Sequence, residues 1–127
     1  MVQVMNILSS ALDAASMRQQ TISNNIANAN TPNFQPDQVV FEDILQQKLS
    51  NFSFSGTATD PRHISIGGQS DTVTPSLMKQ PVVMNNNGNG VDLDSEMSKL
   101  AENSIWYQSL AYGVSEQFNL LNIALKK

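Results

Sequence analysis

Residues 93–125 read LDSEMSKLAENSIWYQSLAYGVSEQFNLLNIAL. Within them Leu93, Met97, Leu100, Ser104, Tyr107, Ala111, Val114, Phe118, Leu121 and Leu125 recur at alternating spacings of four and three. That spacing predicts an amphipathic helix with a heptad seam. A stripe sustained over more than four heptads is too long to stay wet, so the helix needs a partner helix. It should start near Asp92, where Asp92, Asp94 and Glu96 meet the positive end of the helix dipole. Lys126 and Lys127 complement the other end. At 1.5 Å per residue such a helix is about 50 Å long. Trp106, one position before Tyr107, either widens the buried face or contacts another subunit. Gly113 costs about 1 kcal/mol relative to Ala, or permits close packing.

The chain has 127 residues, the size of a single domain. Apolar periodicity is concentrated at its two ends, while the middle is polar and punctuated by Gly. There is no cysteine, which excludes disulfides and thiolate metal sites. The net charge is −4, and the seven basic residues form no patch or stripe, which argues against nucleic-acid binding. No apolar run reaches the length needed to cross a bilayer. The first residues, Met1 to Asn6, lack the basic segment and apolar core of a cleaved signal peptide.

A second heptad pattern predicts a first helix over residues 6–29. Met5, Leu8, Leu12, Ala15, Gln19, Ile22, Ile26 and Ala29 mark its seam, and Ala11 and Ala14 broaden it. Asn6, Ser9 or Ser10 can cap it. Asn28-Ala29-Asn30-Thr31-Pro32-Asn33-Phe34 should end it. Pro32 disfavours helical geometry at Thr31, and the asparagines bond local backbone or accept left-handed geometry. Phe34, between Pro32 and Pro36, should dock on something apolar. A shorter helix is expected over residues 37–49, capped by Asp37, with Val40, Phe41, Ile44, Leu45, Lys48 and Leu49 on its apolar side, Lys48 by snorkelling.

Residues 50–90 lose helical periodicity. Phe52 with Phe54, Ile64-Ser65-Ile66 and Val82-Val83-Met84 are short strand candidates, and Asn85 to Gly90 reads as a flexible link. Partial disorder of this middle is expected in an isolated subunit. The fold class expected is mainly α. Two long terminal amphipathic helices form a coiled-coil-like layer around a short helix and a partly irregular middle with candidate strands. The division is 1–35 for the first assembly helix and its stop, 36–90 for the middle, and 91–127 for the last assembly helix.

No catalytic constellation is visible, so no enzyme activity, cofactor or metal is expected. His63 stands with only Asp60 and Arg62 near it, which suits a turn better than a metal or acid–base site. Asp92, Asp94 and Glu96 lack the ordered spacing of a calcium loop and are explained as acids at a helix start. Gly67-Gly68 and Gly88 with Gly90 lack the setting and the Lys of a phosphate loop.

Residues 22–34, ISNNIANANTPNF, closely resemble the N-terminal signature of bacterial flagellar rod and hook proteins. Thr59-Asp60-Pro61-Arg62-His63-Ile64 and Val91-Asp92-Leu93-Asp94-Ser95-Glu96-Met97 narrow the likeness to the proximal rod members. So does the helix ending Asn122-Ile123-Ala124-Leu125-Lys126. The resemblance spans the chain and is least specific over residues 50–90.

The resemblance implies a structural subunit of the flagellar basal body, located in the rod and exported by the flagellar export apparatus without a cleaved signal peptide. Its implied partners are like copies, FlgC-like rod subunits, the rod adaptor FliE and the membrane ring. It has no nucleic-acid partner and no membrane insertion. The terminal helices of such proteins are commonly disordered in the monomer and order on assembly. The residues expected at the assembly interface are Leu8, Leu12, Ile22 and Ile26 on the first helix, and Leu93, Leu100, Tyr107, Phe118 and Leu121 on the last. Asn28, Asn30, Thr31, Pro32 and Phe34 should fix the exit of the first helix against neighbours. Two rival readings are another proximal rod member, FlgC-like, and a non-flagellar helical adaptor or chaperone whose long helices pair stably.

Overall fold

The computed structural model describes residues 2–50, 73–80 and 90–126. The element order is α1 (Val2–Ala27), β1 (Asp37–Val40), α2 (Glu42–Ser50), β2 (Ser76–Lys79) and α3 (Leu93–Leu125). The two long helices lie against each other and form the principal contact of the fold. They run in opposite directions, since Asn25 meets Glu96, Ala15 meets Asn103 and Leu8 meets Gly113.

Small side chains bring the helices together. Ala11, Ala14 and Ala15 of α1 are buried, and they share a core with Leu110 of α3, Val39, Phe41 and Val73. Leu8, Leu12, Met17, Ile44 and Leu45 pack around that core. With Ala at three positions the α1 backbone can approach α3 closely.

Helix α1 starts earlier than the seam indicated and ends two residues sooner, at Ala27. The turn after it is built as the Asn/Pro stretch predicts. Asn28 Nδ2 donates to the Asn24 carbonyl at 2.9 Å, and Thr31 N donates to the Asn28 carbonyl at 2.9 Å. Asn33 takes a left-handed φ of 60°, which Asn tolerates better than most residues. Pro36 is fully buried and Phe34 half-buried.

Residues 37–40 correct the expected helix over 37–49. They form β1, and α2 begins only at Glu42. Burial here alternates, with Val39 and Phe41 inside. The main chain of Asp37 is committed to the Asn25 side chain, so Asp37 does not cap a helix. Glu42 and Asp43 instead occupy the first turn of α2. β1 pairs with β2 antiparallel, Asp37 opposite Lys79 and Val40 opposite Ser76. All four residues of β2 are exposed. Such a strand carries no alternating apolar signal, and it was not among the expected ones. The candidates at Phe52 with Phe54, Ile64–Ile66 and Val82–Met84 lie outside the described residues.

Helix α3 starts as its acids predict. Asp92 is the N-cap, and its Oδ1 accepts from Asp94 N at 3.1 Å and Ser95 N at 3.4 Å.

Candidate assembly interface

The face that α3 turns toward α1 is not its most apolar one. Glu96, Asn103 and Leu110, spaced by seven, are its buried residues. Two of the three are polar. Glu96 Oε2 accepts from Asn25 Nδ2 at 3.0 Å, and Glu96 Oε1 accepts from Lys99 Nζ at 2.7 Å. Asn103 Nδ2 donates to the Ala15 carbonyl at 2.9 Å and to Gln19 Oε1 at 3.3 Å. These contacts satisfy specific partners and so define one register between the helices, the best-attested use of buried polar groups.

The heptad seam is therefore rotated away from α1. Leu93, Met97, Tyr107, Phe118, Leu121 and Leu125 are between 40% and 73% exposed. Leu100 and Val114, on the side nearest α1, are half-buried. Beyond Gln117 every described residue of α3 is exposed. A stripe of this size on one helix exceeds the scattered apolar exposure of ordinary surfaces.

The residues expected at an interface on α1 lie differently. Ile22 is buried inside the subunit, and Leu8 and Leu12 pack on the core, so these three are engaged within the chain. Ile26, Asn28 and Phe34 are half-buried, while Asn30, Thr31 and Pro32 are exposed on the turn. The turn and the seam of α3 thus remain accessible, and the core-facing side of α1 does not.

Sequence reasoning missed Asn25, Glu96 and Asn103. Asn25 lies within the signature stretch, is 1% exposed, and joins three elements: α1, β1 through Asp37, and α3 through Glu96. The signal for the other two was the seven-residue spacing of Glu96, Asn103 and Leu110, which runs beside the apolar seam and is masked by it.

Charge on this side of the molecule is largely paired. Arg18 meets Glu42 at 2.8 Å and Lys79 meets Asp37 at 2.9 Å. Burial raises the Glu42 carboxyl, but hydrogen bonds from Arg18 and from backbone N–H groups, with the Arg18 charge, outweigh it and hold the group below the usual glutamate range. Among the described residues no group of three or more His, Cys, Asp or Glu could hold a metal ion, and no helix is long and apolar enough to cross a membrane.

A family model described as flagella basal body rod protein matches residues 5–35, which are α1 from Met5 onward and the Asn/Pro turn. A protein of Bacillus subtilis (strain 168) is 36% identical over 118 residues, 93% of this chain and 89% of its own length. One from Borreliella burgdorferi is 35% identical over 121 residues, covering 91% and 90%. One from Yersinia enterocolitica is 35% identical over 104 residues, covering 78% and 76%. The chain belongs to the flagellar basal body rod protein family. Those three relatives are all flagellar basal body rod protein FlgB, and within the family the similarity is to FlgB.

Proposed function

We propose that this chain is a structural subunit of the proximal rod of the bacterial flagellar basal body, polymerising through its terminal helices to transmit torque. The observation that carries this reading is the exposed seam of α3 from Leu93 to Leu125. It is too apolar to be left in water, and it is not consumed by α1. Residues 1–35 and 91–127 act as the assembly elements, and residues 36–90 as the outer portion against neighbouring subunits.

Within the seam, Leu93, Tyr107, Phe118 and Leu121 contact neighbours, with Leu100 at its edge. The turn residues Asn28, Asn30, Thr31, Pro32 and Phe34 set how α1 leaves the assembly layer, with Ile26 beside them. Leu8, Leu12 and Ile22 support the interface from within by holding α1 against the core. The partners are like copies, FlgC-like subunits, the adaptor FliE and the membrane ring. Delivery is by the flagellar export apparatus, without a cleaved signal peptide.

The test is Phe118→Asp in the full chain. Phe118 is exposed, so the isolated variant should keep its unfolding midpoint, with a stability change within about 0.5 kcal/mol. It should be exported but absent from isolated basal bodies, and cells should lose motility. Basal bodies of normal rod length containing the variant would overturn the reading.

A further inference from the structure

Helix α1, β1 and the first half of α3 enclose an open groove of about 580 Å3. Ile22 and Val39 contribute apolar surface from one side, and Ile105 and Trp106 from the other. Four carboxylates line it, Asp37, Glu42, Glu96 and Glu102, against two cations, Arg18 and Lys99. Three of the carboxylates are ion-paired, Asp37 to Lys79, Glu42 to Arg18 and Glu96 to Lys99. Glu102 has no ion pair among the described residues, and it stands four residues before Trp106 on the same side of α3. A carboxylate beside an indole face is a favourable place for an ammonium group. Asn103, also in the wall, has a buried Oδ1 that meets no hydrogen-bond donor among the described residues. The groove therefore suits an apolar segment that carries positive charge.

The far end of α3 is such a segment. From Gln117 to Lys127 the sequence has no acid and two lysines. Leu120 and Ile123 are more than half exposed, and Lys126, three residues beyond Ile123, is exposed too. Ile123 stands in the last turn of α3 and Lys126 is its C-cap, so the end of the helix carries an apolar body closely followed by an ammonium. Glu102 and Lys126 are separated by about 36 Å along a straight helix, so a chain does not fill its own groove.

We propose that the groove receives the end of α3 with its C-cap, Leu120–Lys126, from a second copy of this chain, with Lys126 set against Glu102 and Trp106, and Leu120 and Ile123 on the apolar floor. The contact joins two different surfaces, so it is heterologous and propagates from copy to copy instead of closing on a pair. It rests on the rod reading above, and names which surface of one subunit meets which surface of the next.

The absence of cysteine from the chain makes the test direct. Basal bodies are isolated from cells co-producing Glu102→Cys and Ile123→Cys chains and are then oxidised. Disulfide-linked dimers should form with the co-produced pair and not with either variant alone. A single chain carrying both cysteines should give a ladder of oligomers. A second comparison keeps the test independent of cysteine geometry. Lys126→Glu or Glu102→Lys alone should cut incorporation into basal bodies about threefold to fivefold at low salt, and the two combined should restore it. Assembled basal bodies without the 102–123 link and without charge rescue would overturn the groove contact while leaving the rod reading intact. Failure of the rod reading has a different signature, normal rods containing Phe118→Asp.

Discussion

The carboxamide of Asn25 pairs with the main chain of Asp37 as a neighbouring strand would. Asn25 Nδ2 donates to the Asp37 carbonyl at 2.8 Å, and the Asp37 N–H donates to Asn25 Oδ1 at 3.0 Å. One side chain of α1 thereby terminates the edge of β1, and the same Nδ2 also reaches Glu96 of α3. The chain can return to this point only because the turn after α1 reverses it over residues 28–36. The signature stretch and the joint between helices and sheet are thus one construction.

Asn25→Ala leaves the Asp37 N–H and carbonyl and one oxygen of Glu96 without this partner. The expected loss is about 2–3 kcal/mol by urea unfolding, because buried polar groups are stranded. Asn25→Asp should be at least as damaging at neutral pH, since it removes the donor and sets a second carboxylate against Glu96. An Asn25→Ala variant as stable as the parent would show that the three-way joint does not hold the subunit together.

The Arg18–Glu42 pair predicts a pH dependence. The folded Glu42 carboxyl is held below its usual value. Its stabilising contribution is therefore complete above the unfolded value, about pH 4, and fades as the pH falls through the lower, folded one. Glu42→Gln should flatten the stability profile on the acid side of about pH 5. Because the Glu42 side chain is more than half exposed, the loss at neutral pH should not exceed about 1 kcal/mol. Thermal melts across the acid range check both points, and salt should diminish the difference.

Gly113 lies inside α3, and a Cβ built there meets Leu8 Cδ2 at 3.7 Å, an ordinary contact. Close packing at this position therefore does not require glycine. Gly113→Ala should stabilise the subunit by about 1 kcal/mol through helix propensity. Gly113→Leu should instead push Leu8 out of the core and lower the melting temperature.

Asp92→Ala removes the cap from α3 and a negative charge from its positive end. The expected cost is about 1 kcal/mol. Amide hydrogen exchange should accelerate at Asp94 and Ser95, whose N–H groups bond Asp92 Oδ1. Asp92→Asn should recover most of the stability, since Asn caps nearly as well.

Much of the architecture was legible in the residues. Heptad spacing located both long helices, Asp92 announced the start of α3, and Pro32 with its flanking asparagines marked the end of α1. These signals are local, because a cap, a proline and a periodic stripe act within one or two turns of chain. The strand β1 was less visible. Val39, Val40 and Phe41 suit a helix face or a strand equally well over so short a run, and the main-chain partner that decides between them, Asn25, lies twelve residues away. β2 offered still less, since its side chains are all exposed and it is held by pairing to β1.

From the sequence alone came two amphipathic terminal helices, their boundaries to within a few residues, and an apolar stripe on α3 in need of a partner. Tertiary structure decided which face of α3 meets α1. Periodicity reports that a stripe must be covered and is silent on what covers it. Within the subunit, the alanines of α1 and the polar groups of Asn25, Glu96 and Asn103 select a neighbouring, less apolar face, because buried polar groups must meet defined partners while apolar ones accept any cover. The apolar seam is left facing away from α1 and exposed.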